Sequence, residues 1–443
     1  MRRHTAPITL LATMLLTAAG AAGAQEPASE ERPTGLPSKG RWTFNFDAGL
    51  GLFGFANSLY SQGARPDDPG DLSDNWVESF IKPALSVSLP VGSGELYGKI
   101  SAVGERTFAA PPPLVGEEAS SFQIEDLHLG WRSGTALGGS ENLLELTVGR
   151  AQYKIGHGMI LWDGGGEGGT RGGFWSNARK AWEFAGVARL APKNHTFEVF
   201  YLDRDEVPES ETGTRVFGAN YQLALGDATT IGASYLQFQA DSLPARDGMD
   251  VYNLRAYTAP LRALPNLSFE LEFAREENTD LGSTAWNALA AYQLSGMSWQ
   301  PKISYRYAIF QGDDPGTAAS EAFDPLIPGF YDWGTWWQGE IGGEYFLSNS
   351  NLQSHQLRVH VTPSESVSGG VFAYQFRYDQ LPGGGVTSKD IAFELDGYVD
   401  WKVNSNFLLS FIAAFATPQS GIEQATGRTD SFAYGMIYVG YSY

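Results

Sequence analysis

Residues 301–310 read Pro-Lys-Ile-Ser-Tyr-Arg-Tyr-Ala-Ile-Phe. Side chains on a β-strand point alternately to its two faces, so this stretch predicts a strand with one apolar and one polar face. The apolar face carries Ile303, Tyr305, Tyr307 and Ile309. The polar face carries Lys302, Ser304, Arg306 and Ala308. Such a strand is typical of a wall that separates a nonpolar medium from an aqueous one.

The same two-residue period recurs along the rest of the chain. Residues 370–379 place on one face Phe372, Tyr374, Phe376 and Tyr378. Residues 356–362 likewise alternate Leu357, Val359 and Val361 with polar neighbours. We expect the aromatic and aliphatic face of each segment to meet lipid. The last segment ends in the aromatic Tyr443, which fits a girdle at a membrane interface.

The number of strands follows from counting these segments. Nineteen candidates lie between residues 41 and 443, whereas a bacterial single-chain barrel has an even number of strands. Short periplasmic turns should alternate with long extracellular loops, but this alternation fails around 335–346 when that segment is counted as a strand. The alternation is restored if the segment belongs to one large extracellular loop, 312–354. The sequence therefore predicts an all-β fold, a transmembrane antiparallel β-barrel of eighteen strands with short periplasmic turns and long extracellular loops.

The N-terminus predicts export from the cytoplasm. Basic residues precede a short apolar stretch, and Ala22 and Ala24 form a small-residue cleavage site, so residues 1–24 are interpreted as a signal peptide. Residues 25–40 are then a short periplasmic segment, and 41–443 form the barrel. We expect cleavage of the signal peptide and insertion into the outer membrane of a Gram-negative bacterium, with lipid as the surrounding partner.

Charge and composition exclude other classes of protein. Removal of residues 1–24 takes away two of the 30 basic residues and none of the 50 acidic ones, which leaves a formal charge of −22. Nucleic acid is therefore an unsuitable partner, since phosphate would be repelled. The chain has no cysteine. It has no apolar run after the signal peptide that is long enough for a membrane helix.

Several stretches resemble the alginate-export family of outer-membrane channels. The central ones are Val148-Gly149-Arg150, Tyr153-Lys154-Ile155-Gly156-His157-Gly158-Met159-Ile160 and Phe174-Trp175-Ser176-Asn177-Ala178-Arg179. Later ones are Phe323-Asp324-Pro325-Leu326, the run from Gly329 to Glu340, and Asn349-Ser350-Asn351-Leu352. The resemblance implies an eighteen-stranded channel that passes an acidic polysaccharide of the alginate type by passive diffusion, with periplasmic biosynthesis or export proteins as partners.

Three other functions remain open: an uptake porin, a barrel enzyme, and a structural or adhesive barrel with a plugged lumen. An uptake porin for small solutes would use the same barrel and would need no biosynthetic partner. A barrel enzyme is the weaker alternative, because the sequence does not indicate a set of nucleophile, base and orienting group. We therefore predict no catalytic residue and no cofactor.

The candidate substrate path consists of basic side chains on the predicted inner faces. They are Arg306, Arg358, Arg377, Arg255, Lys302 and Lys99. Arginine forks in series would bind and release carboxylates. The alternative is that these cations only balance inward acids such as Glu270, Glu272, Glu394, Asp396 and Asp400.

Loop 312–354 is the candidate constriction. Its aromatic and acidic residues are Trp333, Trp336, Trp337, Glu340 and Glu344. Rings can stack on sugars while carboxylates accept hydroxyl protons, but simple packing against the barrel mouth explains the same residues and is favoured. Asp163 and Glu167 in a glycine-rich run could help to bind Ca²⁺, although a bare outer loop is the preferred interpretation. No residue pattern predicts a metal site.

Overall fold

The computed structural model describes residues 40–65, 68, 70–110, 112–115, 119–162, 164–166, 168–258, 264–279, 281–329 and 338–443. The predicted signal peptide and almost all of the segment 25–40 lie outside these ranges. No helix within them is long and apolar enough to cross a membrane.

Eighteen antiparallel strands form one sheet, as the sequence predicts. They are β1 Arg41–Ala56, β2 Asp74–Val91, β3 Gly94–Phe108, β4 Ser120–Arg132, β5 Leu144–Ala151, β6 Trp182–Leu190, β7 His195–Asp203, β8 Arg215–Leu225, β9 Thr229–Gln239, β10 Asp250–Thr258, β11 Leu267–Asn278, β12 Leu281–Gln293, β13 Lys302–Phe310, β14 Leu352–Ser364, β15 Val367–Tyr378, β16 Asp390–Lys402, β17 Phe407–Pro418 and β18 Phe432–Ser442.

The sheet closes on itself. Each strand pairs with its neighbours in sequence, and β1 pairs with β18 from Asp47↔Ser442 to Ala56↔Ala433. Closure matters because an open edge would leave backbone N–H and C=O groups unpaired in lipid, at a cost of several kcal/mol each.

The segment that broke the strand count is not a wall strand. Its described part contains a π-helix, Gly339–Phe346, within the connection between β13 and β14. The other helical pieces are short: α1 Pro112–Val115, a 3₁₀ turn Pro208–Ser210 and α2 Ser420–Thr426.

The two ends of the barrel differ in their connections. Those that follow odd-numbered strands lie at one end, here called the long-loop end, and include the two longest, 152–181 and 311–351. Those that follow even-numbered strands lie at the opposite end, here called the turn end, and include the two-residue connections 92–93 and 365–366. The assignment of the long-loop end to the cell exterior stays a prediction.

The outer surface carries an apolar belt. Ile303, Tyr305, Leu357 and Val359 are exposed there, on the faces that alternation selects for lipid. The inner positions of the same strands, such as Arg306, are buried or half-buried.

The aromatic face of β15 points inward, against the prediction from its sequence. Phe372, Tyr374 and Phe376 are buried inside the barrel, with Phe376 at 0% exposure, whereas Val371 on the opposite face is 46% exposed. The inner wall is apolar here because folded loop, and not water, covers it. Arg377 shares the outward face with Val371, and its side chain is 44% exposed beside Asp390, so it is not a lumen residue.

Candidate functional site

Loop 152–181 crosses the lumen. It leaves the wall at β5 and returns at β6, yet Met159 Sδ accepts a hydrogen bond from Asn287 on β12 at 3.5 Å. The described residues 175–181 lie in the other direction, against β2, β3 and β4. A loop with contacts from β2 to β12 divides the inside of the barrel.

Three wall glutamates hold this loop by its backbone. They lie on neighbouring strands. Their side-chain oxygens accept the hydrogen bonds that a paired strand would otherwise accept from the N–H groups of residues 175–181. The bonds run from the N–H groups of Trp175 (3.1 Å) and Ser176 (2.8 Å) to Glu78, from Ala178 (2.7 Å) to Glu105, and from Lys180 (2.8 Å) and Ala181 (3.0 Å) to Glu125. All three glutamates are buried. The sequence reasoning missed them, although alternation along β2 and β3 places Glu78 and Glu105 on the inner face.

Loop 311–351 is held by carboxylates in the same way. Glu394 on β16 accepts the N–H groups of Ile341 at 2.8 Å and Gly342 at 2.7 Å, at the start of the π-helix. Asp396 accepts the N–H of Glu340 at 3.2 Å. The ring of Tyr345 packs among Phe55, Phe174, Phe432 and Tyr434. The acids Glu394 and Asp396, which were predicted on the inner face and which the alternative interpretation pairs with lumen cations, accept hydrogen bonds from the backbone of a loop.

The two loops are joined to each other. The N–H of Trp162 donates to Ile327 O at 2.9 Å, that of Ile327 to Ile160 O at 3.3 Å, and that of Gly329 to Gly158 O at 3.0 Å. Apolar side chains of both loops, such as Ile155, Leu161 and Phe323, are buried in a common core inside the barrel. We call the described residues of loops 152–181 and 311–351 the septum.

A cluster of arginines fixes the septum to a third loop. Asp205 lies between β7 and β8 and accepts hydrogen bonds from Arg150, Arg171 and Arg179. The Arg150 contact measures 2.7 Å, and Arg171 and Arg179 are buried. One carboxylate is thus shared by three guanidinium groups at the junction of the loops.

The basic residues predicted on β13 and β14 lie together on one wall. The register pairs Lys302 with His360, Ser304 with Arg358 and Arg306 with Gln356, so the three cations are neighbours on the inner face. Arg358 donates to Tyr398 Oη at 2.6 and 3.2 Å, and its guanidinium lies 4.8 Å from the centre of the Phe372 ring. We call Lys302, Arg306 and Arg358 the basic wall.

The other predicted cations lie elsewhere. Arg255 on β10 donates to Ser234 Oγ at 2.8 Å and Asn220 Oδ1 at 2.6 Å, within a network of inward polar groups. Lys99 lies 3.4 Å from Asp126. This ion pair is the kind of contact that the alternative interpretation describes, in which basic and acidic lumen residues balance one another.

The predicted loop residues divide into two groups. Trp333, Trp336 and Trp337 lie outside the described residues, as do Asp163 and Glu167. Glu340 is a buried residue at the start of the π-helix, where desolvation, with Asp396 and Glu344 nearby, raises its pKa well above the usual range. Its surroundings match the packing interpretation. The described residues contain no group of three acidic or histidine side chains able to hold a metal ion.

A closed eighteen-stranded barrel with an apolar outer belt and infolded loops defines the class: an outer-membrane β-barrel with the fold of porins. Solved structures with this fold include OccK7 (OpdD) of Pseudomonas aeruginosa, with 12% identity, a TM-score of 0.59 and coverage of 92% of this chain and 99% of that one. A BenF-like porin from Pseudomonas fluorescens Pf-5 shows 11% identity, a TM-score of 0.61 and coverage of 91% and 98%. OccAB2 of Acinetobacter baumannii shows 13% identity, a TM-score of 0.57 and coverage of 91% and 98%.

The chain matches no family model and no curated protein sequence. The structural neighbours show that the chain has the barrel fold of porins. They do not support the finer resemblance to the alginate-export family.

Proposed function

We propose that this protein is a porin through which small solutes diffuse across the outer membrane. The septum carries the proposal. Two loops packed together inside the barrel, and held by buried carboxylates of β2 and β16, narrow a lumen that eighteen strands alone would leave wide. The similar fold of a BenF-like porin supports uptake of small solutes better than export of an acidic polysaccharide.

The basic wall is proposed to select among these solutes. Lys302, Arg306 and Arg358 lie in succession on one side of the lumen. Arg306 and Arg358 are buried, so they act on an anionic group through their positive charge, whereas Lys302 is half-buried. The contact with Phe372 and the bonds to Tyr398 hold Arg358 in one orientation, so its positive charge keeps a fixed position on this side of the barrel. Arg255 and Lys99 belong to the proposed path only as groups that set the local charge.

Passage through such a lumen needs neither covalent chemistry nor a cofactor. The channel fold is consistent with a protein that is not an enzyme. An uptake porin also requires no periplasmic biosynthesis or export partner, in contrast to a polysaccharide exporter.

Liposome swelling and single-channel recording of the refolded mature protein test the proposal. We expect monosaccharides and monomeric uronate to pass and alginate oligomers to be excluded. We also expect Arg358→Gln to lower the permeability to monomeric uronate, whereas the outward-facing control Arg275→Gln leaves it unchanged. Passage of the oligomers at a rate comparable to the monomers would restore the export function, and absence of any conductance would reject a channel.

A further inference from the structure

One turn of the septum reaches the far wall and places a titratable pair in the lumen. Residues 156–158, Gly-His-Gly, form the turn, with φ of +54° at Gly156 and +86° at Gly158. A Cβ at position 156 would lie 2.6 Å from Cδ of Arg255, so glycine allows the backbone to approach β10 closely. The turn therefore lies directly on the inner wall.

His157 is held in this position by two wall side chains. Its ring stacks on that of Tyr257, with centroids 4.1 Å apart and an interplanar angle of 8°. Its Nδ1 lies 3.3 Å from a carboxylate oxygen of Glu270 on β11. The side chains remain 40% and 25% exposed, respectively, so both groups face lumen water.

This exposure distinguishes the pair from the wall carboxylates that hold the septum. Glu78, Glu394 and Asp396 are buried and bonded to loop backbone, so they do not face a passing ion. His157, on the loop that crosses the lumen, and Glu270, on β11, are both open to water. Their charge acts on whatever passes.

We propose that His157 and Glu270 contribute a local cation preference to the ion selectivity of the channel, opposite in sign to the effect of the basic wall, and that protonation of His157 removes this contribution. The inference rests on the proposed channel function. With a neutral imidazole, Glu270 presents a negative charge and favours cations. With an imidazolium, the pair is neutral and that preference is lost. Imidazole is the side chain that ordinarily changes charge between about pH 5 and 8.

The groups that face His157 are consistent with this assignment. From β10 come Arg255 and the hydroxyl of Tyr257, and from β11 come Glu270 and Glu272. Tyr257 Oη donates to Glu272 at 3.0 Å, and Glu272 is buried. Glu270 is thus the acid of this group that combines contact with His157 and exposure to the lumen.

The test is the cation-to-anion permeability ratio of the full-length mature protein in planar bilayers, measured in KCl gradients at pH 8 and pH 5.5. We expect the ratio to fall severalfold on acidification, by a factor of about 5 for a unit charge that acts at about 4 Å in water. His157→Gln should remove most of this change, and Glu270→Gln should lower the ratio at pH 8 to near its acidic value. His195→Gln, on the outer surface near the turn end, is the matched control.

The outcomes separate the two proposals. Loss of the pH response in His157→Gln, with total conductance retained, supports the assignment. A response that keeps more than half its size in that variant overturns it while the channel function stands. A pH effect on total conductance alone, equal in the parent and the variant, also overturns it, since that result reports loop movement. No conductance in any sample rejects both proposals.

Discussion

At the residue scale, the inside of the barrel uses carboxylates in three distinct ways. Glu78 and Glu394 accept backbone N–H groups of loops. Asp205 gathers three arginines. Glu270 faces the lumen with His157. Part of the negative charge of the chain therefore has a structural role. Loop N–H groups and guanidinium groups that are buried away from water need hydrogen-bond acceptors, and these carboxylates provide them.

Replacement of Asp205 tests the arginine cluster. Asp205→Asn leaves Arg171 and Arg179 buried without their shared counter-charge, and breaking a buried pair costs about 3–5 kcal/mol. We expect a lower urea midpoint for unfolding in detergent. Asp241→Asn is the control, because Asp241 is 73% exposed beside Arg215 and such a pair contributes about 1 kcal/mol or less. Equal midpoints for the two variants would contradict the role given to Asp205.

At the element scale, backbone N–H groups of the septum are paired with side-chain oxygens of the wall, as they would be paired with C=O groups in a sheet. Residues 175–181 do not join a strand, so glutamate oxygens on three neighbouring strands satisfy their N–H groups. The start of the π-helix does the same with Glu394 and Asp396. Loop position is thereby set by side chains of the wall.

Truncation of one of these glutamates should loosen its loop. Glu78→Ala removes the acceptor for Trp175 and Ser176, and each buried N–H left unpaired costs about 1–3 kcal/mol. We expect larger current fluctuations and a higher mean conductance in single-channel records. Glu277→Ala, on the outer face beside Arg275, should leave the records unchanged. If the current fluctuations and the mean conductance of Glu78→Ala equal those of the parent protein, the other contacts of the loop are sufficient to hold it.

The pH dependence of the π-helix follows from Glu340. Its pKa is raised by burial, so the docked helix binds more protons than a released one once the pH exceeds the ordinary glutamate value of about 4.3. Docking is therefore most stable in acid and weakens as the pH rises towards the raised pKa. We expect faster proteolysis of loop 311–351 at pH 8 than at pH 5, and a flattened dependence in Glu340→Gln. The same acceleration in that variant would exclude Glu340 as the cause; Glu365→Gln, in an exposed turn, is the control.

At the scale of the whole molecule, wall and septum are separable. The wall closes through β1 and β18, whereas the septum contacts it through side chains, its own core and a backbone bridge between Leu281 of β12 and Ser320. The tip of loop 152–181 is a further unit, because the N–H of Ile155 donates to Leu161 O at 3.0 Å and brings the two ends of the tip together.

Excision of the tip should widen the channel without unfolding it. Replacing residues 156–160 by Gly-Ser removes the contact with β10–β12 and leaves the strand register intact. We expect the barrel to remain heat-modifiable in gels, with a conductance several times the parental value and passage of trisaccharides in swelling assays. Parental conductance in a folded variant would mean that other residues form the narrowest point.

The sequence by itself determined the wall. Alternation has a range of two residues, and strand parity and loop lengths follow from it, so the eighteen strands and the placing of 335–346 in a loop were predictable. It also placed Arg306, Arg358 and Lys302 on inner faces. Tertiary structure decided the rest. Alternation shows that the two faces of a strand differ without showing which one is inside. The aromatic face of β15 was predicted to meet lipid, but it points inward because loops, not water, cover the inner face of this strand. The partners of Glu78, Asp205 and His157 lie far away in sequence, so only the folded loops bring these groups together.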